Sequence, residues 1–410
     1  MAGEKEKAVV ILGTRDEECE EINLVKELGY KSVLINKHIG FKEALLSDYP
    51  LELDLNDEDA VISKILELQK RFELVTVFTL NEYRVPLCAK LSEKLGVSTA
   101  VSYNAALNCR NKKLTRQILA QSKWPVHYKL IKHEKELLNV VDEFDFPVIV
   151  KPSDESASSL VARCDSLDEA WEAVAAIRKR EKNLVGQDSD SDIIVEEYLE
   201  GAEYSVEAYT IAGKTQIVAI TEKLTAEFNP AVEVGHIVPA VLSPQTEEEI
   251  RELVKETLAL LNVEYGVTHT EVKLTKKGPR IIEVNARPGG DHIPDLVKAT
   301  TGIDLRKVSL WIALGVSKSN LPIEEKVANY AGIRFLAAER SGMVFFNQFP
   351  PCKVERQAIF VKSGQSVSAT TSNLNRLGYF IVHASKYEEL RGKMQVILNE
   401  TDLRIQSKND

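Results

Sequence analysis

Two acidic residues and an asparagine within one short segment are the side chains of this sequence best suited to bind a cation. Residues 270–290 read as two strands joined by a turn at residues 277–279. Side chains alternate along a strand, so Glu271 and Glu283 can face each other across the hairpin, with Asn285 beside Glu283. Converging carboxylates are costly unless a cation lies between them. Their oxygen atoms suit Mg²⁺, or Mn²⁺ in its place.

A permanent positive charge follows on the same face of the second strand. Arg287 continues the period of two, before Pro288 ends the strand and two glycines let the backbone turn. The alternative is a solvated hairpin edge that carries ordinary surface charges. The apolar residues Ile281, Ile282 and Val284 favour the cation site over that alternative.

The composition limits the class of protein. A net charge of −10 over 410 residues argues against nucleic acid as a partner, because phosphate binding needs a basic surface. The five cysteines have no C-x-x-C spacing and the seven histidines no metal-ligand spacing, which indicates reduced thiols and no zinc site. There is no apolar run of membrane-spanning length and no signal peptide. We therefore expect a soluble, cytoplasmic protein with no membrane partner.

The first 110 residues alternate strands with helices, which predicts a doubly wound parallel sheet. The predicted strands are 8–12, 32–35 and 75–80, and the predicted helices are 19–28, 57–68 and 85–95. The first strand ends in Gly13, Thr14 and Arg15 without a G-x-G-x-x-G motif, so we expect no nicotinamide or flavin. Ligands lie at the carboxyl ends of such strands, which places these residues and 81–84 near a cleft.

Further charged residues follow in a fixed order. Lys112 opens a helix capped by Asn108 or Asn111, and Lys151 ends a strand before a polar loop of small residues, 152–159. A strand then ends in residues 196–199, followed by Glu203, the acidic hairpin and Arg287. In this order and spacing the chain resembles the ATP-grasp superfamily of carboxylate–amine ligases over nearly its whole length. Each element is weak by itself, and their joint occurrence is specific.

The resemblance implies an α/β, ATP-grasp fold with three domains. Residues 1–110 would form an N-terminal Rossmann-like (pre-ATP-grasp) domain and residues 111–205 a central lid domain. Residues 206–410 would form a C-terminal α+β domain that contains the metal and substrate site.

The resemblance also implies roles in nucleotide binding. Lys112 and Lys151 would approach the phosphates of ATP, and the loop that carries Ser156 and Ser158 would close over them, serine-rich where many relatives are glycine-rich. Glu203 would accept hydrogen bonds from the ribose. The adenine would lie against the backbone of Glu196, Glu197, Tyr198 and Leu199.

The same resemblance assigns the chemistry. Glu271, Glu283 and Asn285 would hold Mg²⁺ between the β- and γ-phosphates. A substrate carboxylate would attack the γ-phosphate to give an acyl phosphate and ADP, and an amine would then displace phosphate. Arg287 would stabilise the acyl phosphate and the oxyanion, a role that needs a charged fork of donors.

The choice of substrates depends on residues 228–240. Glu233 and His236, three residues apart, resemble the substrate loop of the L-amino acid ligases, the dipeptide synthetases that include bacilysin synthetase. In that comparison Glu233 would meet an α-ammonium group and His236 would shape the acceptor site. The alternative makes Glu233 a surface strand residue and His236 a core histidine.

The side chain of the first amino acid is predicted to be basic. Gly290 and Asp291 fall in the segment after Arg287, and Asp291 stands where bacilysin synthetase has a bulky aromatic residue. Together with Glu82, this carboxylate would favour arginine or lysine, as in an arginine-directed ligase of the kind used in rhizocticin biosynthesis. The alternative is that Asp291 bonds a backbone amide after the glycine turn.

Two rival functions use the same residues differently. One is an ATP-grasp ligase for another acid, of the biotin-carboxylase or purine-synthesis type, which should bring more basic residues into the cleft. The other is a nucleotide-binding regulator without catalysis, which has no physical reason to keep converging carboxylates. We therefore expect ATP and two amino acids as ligands. A homodimer is compatible with the sequence.

Overall fold

The computed structural model describes residues 5–14, 19–97, 100–229, 232–315, 321, 323–350 and 354–406. Arg15, Cys352 and residues 230 and 231 of the substrate loop lie outside these ranges. Within them, no helix combines the length and apolar character needed to cross a membrane.

The N-terminal sheet is parallel, which confirms the prediction from alternating strands and helices. Its strands run in the order β3-β2-β1-β4: β1 (Lys7–Leu12), β2 (Lys31–Asn36), β3 (Tyr49–Glu52) and β4 (Glu73–Phe78). The helices are α1 (Glu20–Glu27), α2 (Phe41–Leu46), α3 (Glu58–Leu68) and α4 (Val85–Leu95). Helix α2 is not predictable from apolar periodicity, because its apolar residues Phe41 and Leu45 are exposed instead of forming a buried face.

The middle of the chain forms an antiparallel sheet of four strands. Their order is β5-β8-β6-β7: β5 (Tyr128–Ile131), β6 (Val148–Pro152), β7 (Ala162–Cys164) and β8 (Ile193–Glu197). The helices are α5 (Tyr103–Arg110), α6 (Lys112–Leu119), α7 (Val140–Glu143) and α8 (Leu167–Arg178). Between β5 and β6 the chain forms a 3₁₀ helix, Glu134–Asn139, which α7 follows directly. Of the two candidate caps of α6, Asn111 accepts from the amides of Lys113 and Leu114.

The rest of the chain builds a sheet of eight strands in the order β13-β12-β9-β10-β11-β14-β18-β16. The strands are β9 (Ala202–Ile211), β10 (Lys214–Thr225), β11 (Glu233–Val238), β12 (Gly266–Thr275), β13 (Gly278–Asn285), β14 (Tyr330–Leu336), β16 (Arg356–Ile359) and β18 (Gly378–Ala384). A small sheet holds β15 (Gly342–Phe346), β17 (Ser366–Val367) and β19 (Leu403–Gln406). The helices are α9 (Pro244–Leu260), α10 (Ile293–Thr301), α11 (Leu305–Ala313) and α12 (Tyr387–Glu400).

Gly201 joins the central sheet to the large one. It lies between β8 and β9 with a φ of 150°, and a Cβ atom there would overlap the carbonyl oxygen of Leu274 on β12. The backbone of this connection therefore packs directly against the strand that carries Glu271. Only glycine permits that approach.

We expect Gly201→Ala to lower the free energy of unfolding by more than about 2 kcal/mol, because the clash is with backbone atoms that cannot rotate away. Gly213→Ala is the matched control, since Gly213 also has a positive φ but has open space around it. That control should cost about 1 kcal/mol. Denaturant unfolding measures both values, and equal losses would contradict the packing argument.

Candidate active site

A cleft of about 610 Å³ is lined by α6, by β6 and its following loop, by the end of β8 and by one face of the large sheet. Most residues predicted from the sequence line it: Lys112, Lys151, Ser156, Ser158, Glu196, Glu197, Tyr198, Leu199, Glu203, Glu233, Glu271, Glu283, Asn285, Arg287, Gly290 and Asp291. Glu82 and His236 lie behind this lining, in contact with Arg287 and Asp291 respectively. Gly13 and Thr14 are not among the lining residues.

The acidic hairpin has the arrangement that its sequence predicts. Glu271 and Glu283 are direct partners across β12 and β13, and Asn285 pairs with His269. Although β13 is an edge strand, the side chain of Glu283 is only 18% exposed and faces the cleft. The buried Oδ1 atom of Asn285 has no hydrogen-bond partner among the described residues. An unsatisfied acceptor beside two carboxylates fits the donor set that a divalent cation prefers.

Two lysines balance these carboxylates. The Lys112 ammonium lies 2.6 Å from Glu283, and the ammonium of Lys223 on β10 lies 3.0 Å from Glu271. Lys223 also lies 2.9 Å from Glu203 and 2.8 Å from Glu233. Burial would lower the pKa of Lys223, but the three carboxylates outweigh it and hold that pKa well above its usual value. Lys223 is not among the residues predicted from the sequence. A lysine within a largely apolar strand nevertheless indicates a buried charge that needs acidic partners.

His269 adds a further positive charge below the hairpin. Its Nδ1 atom lies 2.8 Å from Glu207 on β9, and its Nε2 atom lies 3.5 Å from Glu271. Burial would lower the pKa of His269, but the Glu207 carboxylate outweighs it and raises the pKa to about 10. At neutral pH this side chain is therefore an imidazolium that helps keep Glu271 ionised.

A buried ion triad also lines the cleft. Glu196 lies 2.6 Å from Arg116 and 2.7 Å from Lys151. Burial would raise the pKa of Glu196, but the two cations lower it to about 2. Burial also lowers the pKa of Lys151 to about 8, against the effect of Glu196. Arg116 is not among the residues predicted from the sequence. It lies one helical turn after Lys112, so helical periodicity places both side chains on the same face of α6.

The loop after β6 adopts an unusual backbone conformation. Ala157, Ser158 and Leu160 have φ values of 56°, 56° and 57°, in the left-handed region that glycine adopts most readily. Ser156 and Ser158 line the cleft. The loop thus has turns that suit glycine, although it is built from residues with side chains.

Glu233 and His236 reach the same site because β11 is irregular. Glu233 pairs with Thr225 of β10 and Gly235 with Leu224, so the register shifts by one residue between them. Such a bulge lets residues three apart point to one face. The Nε2 atom of His236 lies 3.5 Å from Glu233 and 3.4 Å from Asp291. His236 is fully buried, so it is both a core histidine and a neighbour of the cleft.

The acidic residues predicted to bind a basic substrate already have arginine partners. Asp291 accepts two hydrogen bonds from Arg376, at 2.8 and 2.6 Å, and not from a backbone amide. Glu82 lies 2.8 Å from Arg287, an ion pair without an aligned hydrogen bond. Neither carboxylate is available to a cationic side chain unless its arginine moves away. The structure therefore argues against Glu82 and Asp291 as the residues that bind a basic side chain of the substrate.

Three ligand atoms of Glu233, His236 and Asp291 lie within 4.8 Å of one another. This spacing would permit a metal ion. Lys223 already lies beside Glu233 and Arg376 beside Asp291, so the positive charge that a metal would supply is present. The hairpin carboxylates are paired with cations as well, but the Asn285 Oδ1 atom beside them has no hydrogen-bond partner among the described residues, so the hairpin is the better candidate for a metal.

Known proteins share this architecture. A model of the ATP-grasp domain matches residues 144–295. The crystal structure of an L-amino acid ligase from Bacillus licheniformis superposes with a TM-score of 0.81, at 25% identity, over 99% of this chain and 100% of that one. Alanine–anticapsin ligase of Bacillus subtilis is 25% identical over 286 residues, 65% of this chain and 59% of the ligase. The y4rH protein of Sinorhizobium fredii is 26% identical over 352 residues, 81% of this chain and 68% of y4rH.

The fold, the cleft and these similarities agree. Residues 144–295 match the ATP-grasp domain, and the similarity of the chain to two ligases supports an ATP-dependent carboxylate–amine ligase. These two are the L-amino acid ligase and the alanine–anticapsin ligase named above.

We expect ATP binding to weaken as the pH rises through the pKa of Lys151. Below pH 8 the free protein carries the ammonium, which attracts phosphate, and above it the group is neutral and must take up a proton to do so. The dissociation constant for ATP should rise about tenfold from pH 7 to pH 9. Isothermal titration calorimetry measures it.

Lys151→Arg keeps the charge at all these pH values and should remove the dependence. Lys123→Arg, at an exposed lysine outside the cleft, is the control that should leave it intact. A wild-type dissociation constant that does not change over this range would contradict the prediction.

Proposed function

We propose that the protein joins two L-amino acids into a dipeptide, with cleavage of ATP to ADP and phosphate. The observation that carries the proposal is the meeting of two sets of residues in one cleft. Lys112 and the triad of Arg116, Lys151 and Glu196 line it together with Glu233, Arg287 and Asp291. The acidic hairpin contacts both sets, because Glu283 lies 2.6 Å from Lys112 and Lys223 joins Glu271 to Glu233. A phosphate chain and a carboxylate would come together beside it.

The nucleotide would bind between the central sheet and the large sheet. Lys151 and Lys112 are placed to meet phosphate oxygens, and Ser156 and Ser158 can donate to the same group. The adenine would lie against residues 196–199. Glu203, held by Lys223 and Lys273, would accept from the ribose hydroxyls.

Glu271, Glu283 and Asn285 would hold a divalent cation, Mg²⁺ or Mn²⁺, which neutralises phosphate charge when bound. Support comes from the Oδ1 atom of Asn285, which has no partner among the described residues, and from two adjacent carboxylates that face the cleft. On metal binding, Lys112 would be released from Glu283 and could turn to the phosphates.

The reaction would have two steps. A carboxylate oxygen of the first amino acid attacks the γ-phosphorus, the bond to the bridging oxygen breaks, and ADP leaves. The amine of the second amino acid attacks the acyl carbon, phosphate leaves, and the nitrogen loses a proton. Arg287 would stabilise the negative charge of both transition states, with Glu82 orienting its guanidinium. Glu233 would bind an α-ammonium group beside His236.

The proposal is tested by phosphate release from ATP with each of the twenty amino acids, singly and in pairs, with mass spectrometry of the products. We expect ADP, phosphate and a dipeptide in equal amounts. Phosphate release that needs bicarbonate or a phosphorylated amine would favour a ligase for another acid. ATP binding without turnover under any of these conditions would favour a nucleotide-binding regulator.

We expect Glu283→Gln to lower the rate of dipeptide formation by on the order of 10² or more, because the cation loses a charged ligand. The concentration of Mg²⁺ needed for half-maximal rate should rise as well. Glu248→Gln, at an exposed position of α9, is the control. A Glu283→Gln enzyme with the wild-type rate and the wild-type need for Mg²⁺ would remove the metal assignment.

A further inference from the structure

Arg376 is fixed at the end of the cleft by contacts on several sides. Its two terminal nitrogens donate to the two carboxylate oxygens of Asp291, at 2.8 and 2.6 Å. Its Nε atom donates to the carbonyl of Asn373 at 2.8 Å, and its guanidinium lies 3.6 Å from the ring centroid of Phe335. The side chain is only 7% exposed. This is a bidentate pair held in place by its surroundings.

The segment that carries Arg376 also forms hydrogen bonds with the backbone of Glu233, the residue proposed to bind the amino group. The side chain of Asn373 accepts from the amide of Glu233 at 2.9 Å, and Arg376 donates to the Glu233 carbonyl at 3.3 Å. Thr371, Asn373, Leu374 and Arg376 line the cleft together with Glu233 and Asp291. The Asp291–Arg376 pair is therefore part of the wall beside the proposed amino-acid site.

We infer that this ion pair makes the enzyme select an amino acid with an uncharged side chain. The inference rests on the proposed function and names its substrate class. A basic side chain that approaches Asp291 meets the guanidinium already bound there, and an acidic one that approaches Arg376 meets Asp291. In either case a like charge opposes entry, and displacing the resident partner leaves a charge unpaired in a largely buried place. A neutral side chain meets neither penalty.

Two opposite substitutions test this selection. Arg376→Ala frees Asp291, so the ratio of kcat/KM for lysine to kcat/KM for alanine should rise at least about tenfold over wild type. Asp291→Ala frees Arg376, so the corresponding ratio for glutamate should rise by about the same factor. The double variant Asp291→Ala/Arg376→Ala has no charge to offer, so it should favour neither. Phosphate release with saturating second substrate gives each ratio.

The outcomes separate this inference from the function on which it rests. Wild-type preference for a neutral amino acid, with the two opposite shifts, supports it. Wild-type preference for arginine, lysine, glutamate or aspartate overturns the inference and leaves the ligase function intact. Unchanged ratios in variants that fold, as judged by thermal unfolding, overturn it too. Absence of turnover with every amino acid overturns both. Should either single variant fail to fold, the wild-type preference and the remaining variant decide.

Discussion

The site depends on one buried ammonium group, that of Lys223, which lies within 3.0 Å of carboxylates from three different strands. Glu203, Glu233 and Glu271 all contact this ammonium group, which offsets the repulsion among their negative charges. The order β12-β9-β10-β11 is what brings the three around this lysine. The charges of the site therefore balance only because the strands lie in this order. The three carboxylates are those proposed to meet the metal, the ribose and the amino group, so one cation adjoins every part of the reaction.

Charge compensation recurs along the cleft in the same form. Glu196 has Arg116 and Lys151, Glu283 has Lys112, and Asp291 has Arg376. Buried ion pairs add little stability by themselves, because desolvation offsets their attraction. They do fix positions, since breaking any one of them leaves an uncompensated charge. The side chains of the cleft are therefore held in position before ligands bind. A ligand that displaces one partner of an ion pair must replace the charge that it displaces.

The parts of the site that the sequence predicted are those set by local periodicity. The pairing of Glu271 with Glu283 follows from alternation within one hairpin, and the helix from Lys112 follows from its asparagine cap. Arg376 could not be found in that way, because it meets Asp291 from 85 residues further along the chain. A sequence does not show whether a carboxylate is already paired. The prediction that Asp291 binds a basic substrate therefore misses the cation that the chain itself supplies, Arg376. The bulge in β11 is equally invisible, although it decides where Glu233 and His236 point.

The loop after β6 has a consequence for the timing of the reaction. A glycine-rich loop samples many backbone conformations when no nucleotide is bound, and it loses that conformational entropy each time it closes. Here Ala157, Ser158 and Leu160 adopt left-handed conformations, which their Cβ atoms disfavour, so the surrounding structure must hold them there. The strain is borne once, during folding, and is offset by the rest of the domain. If the loop covers the nucleotide as proposed, a conformation that the surrounding structure already holds would need less binding energy from ATP to order it.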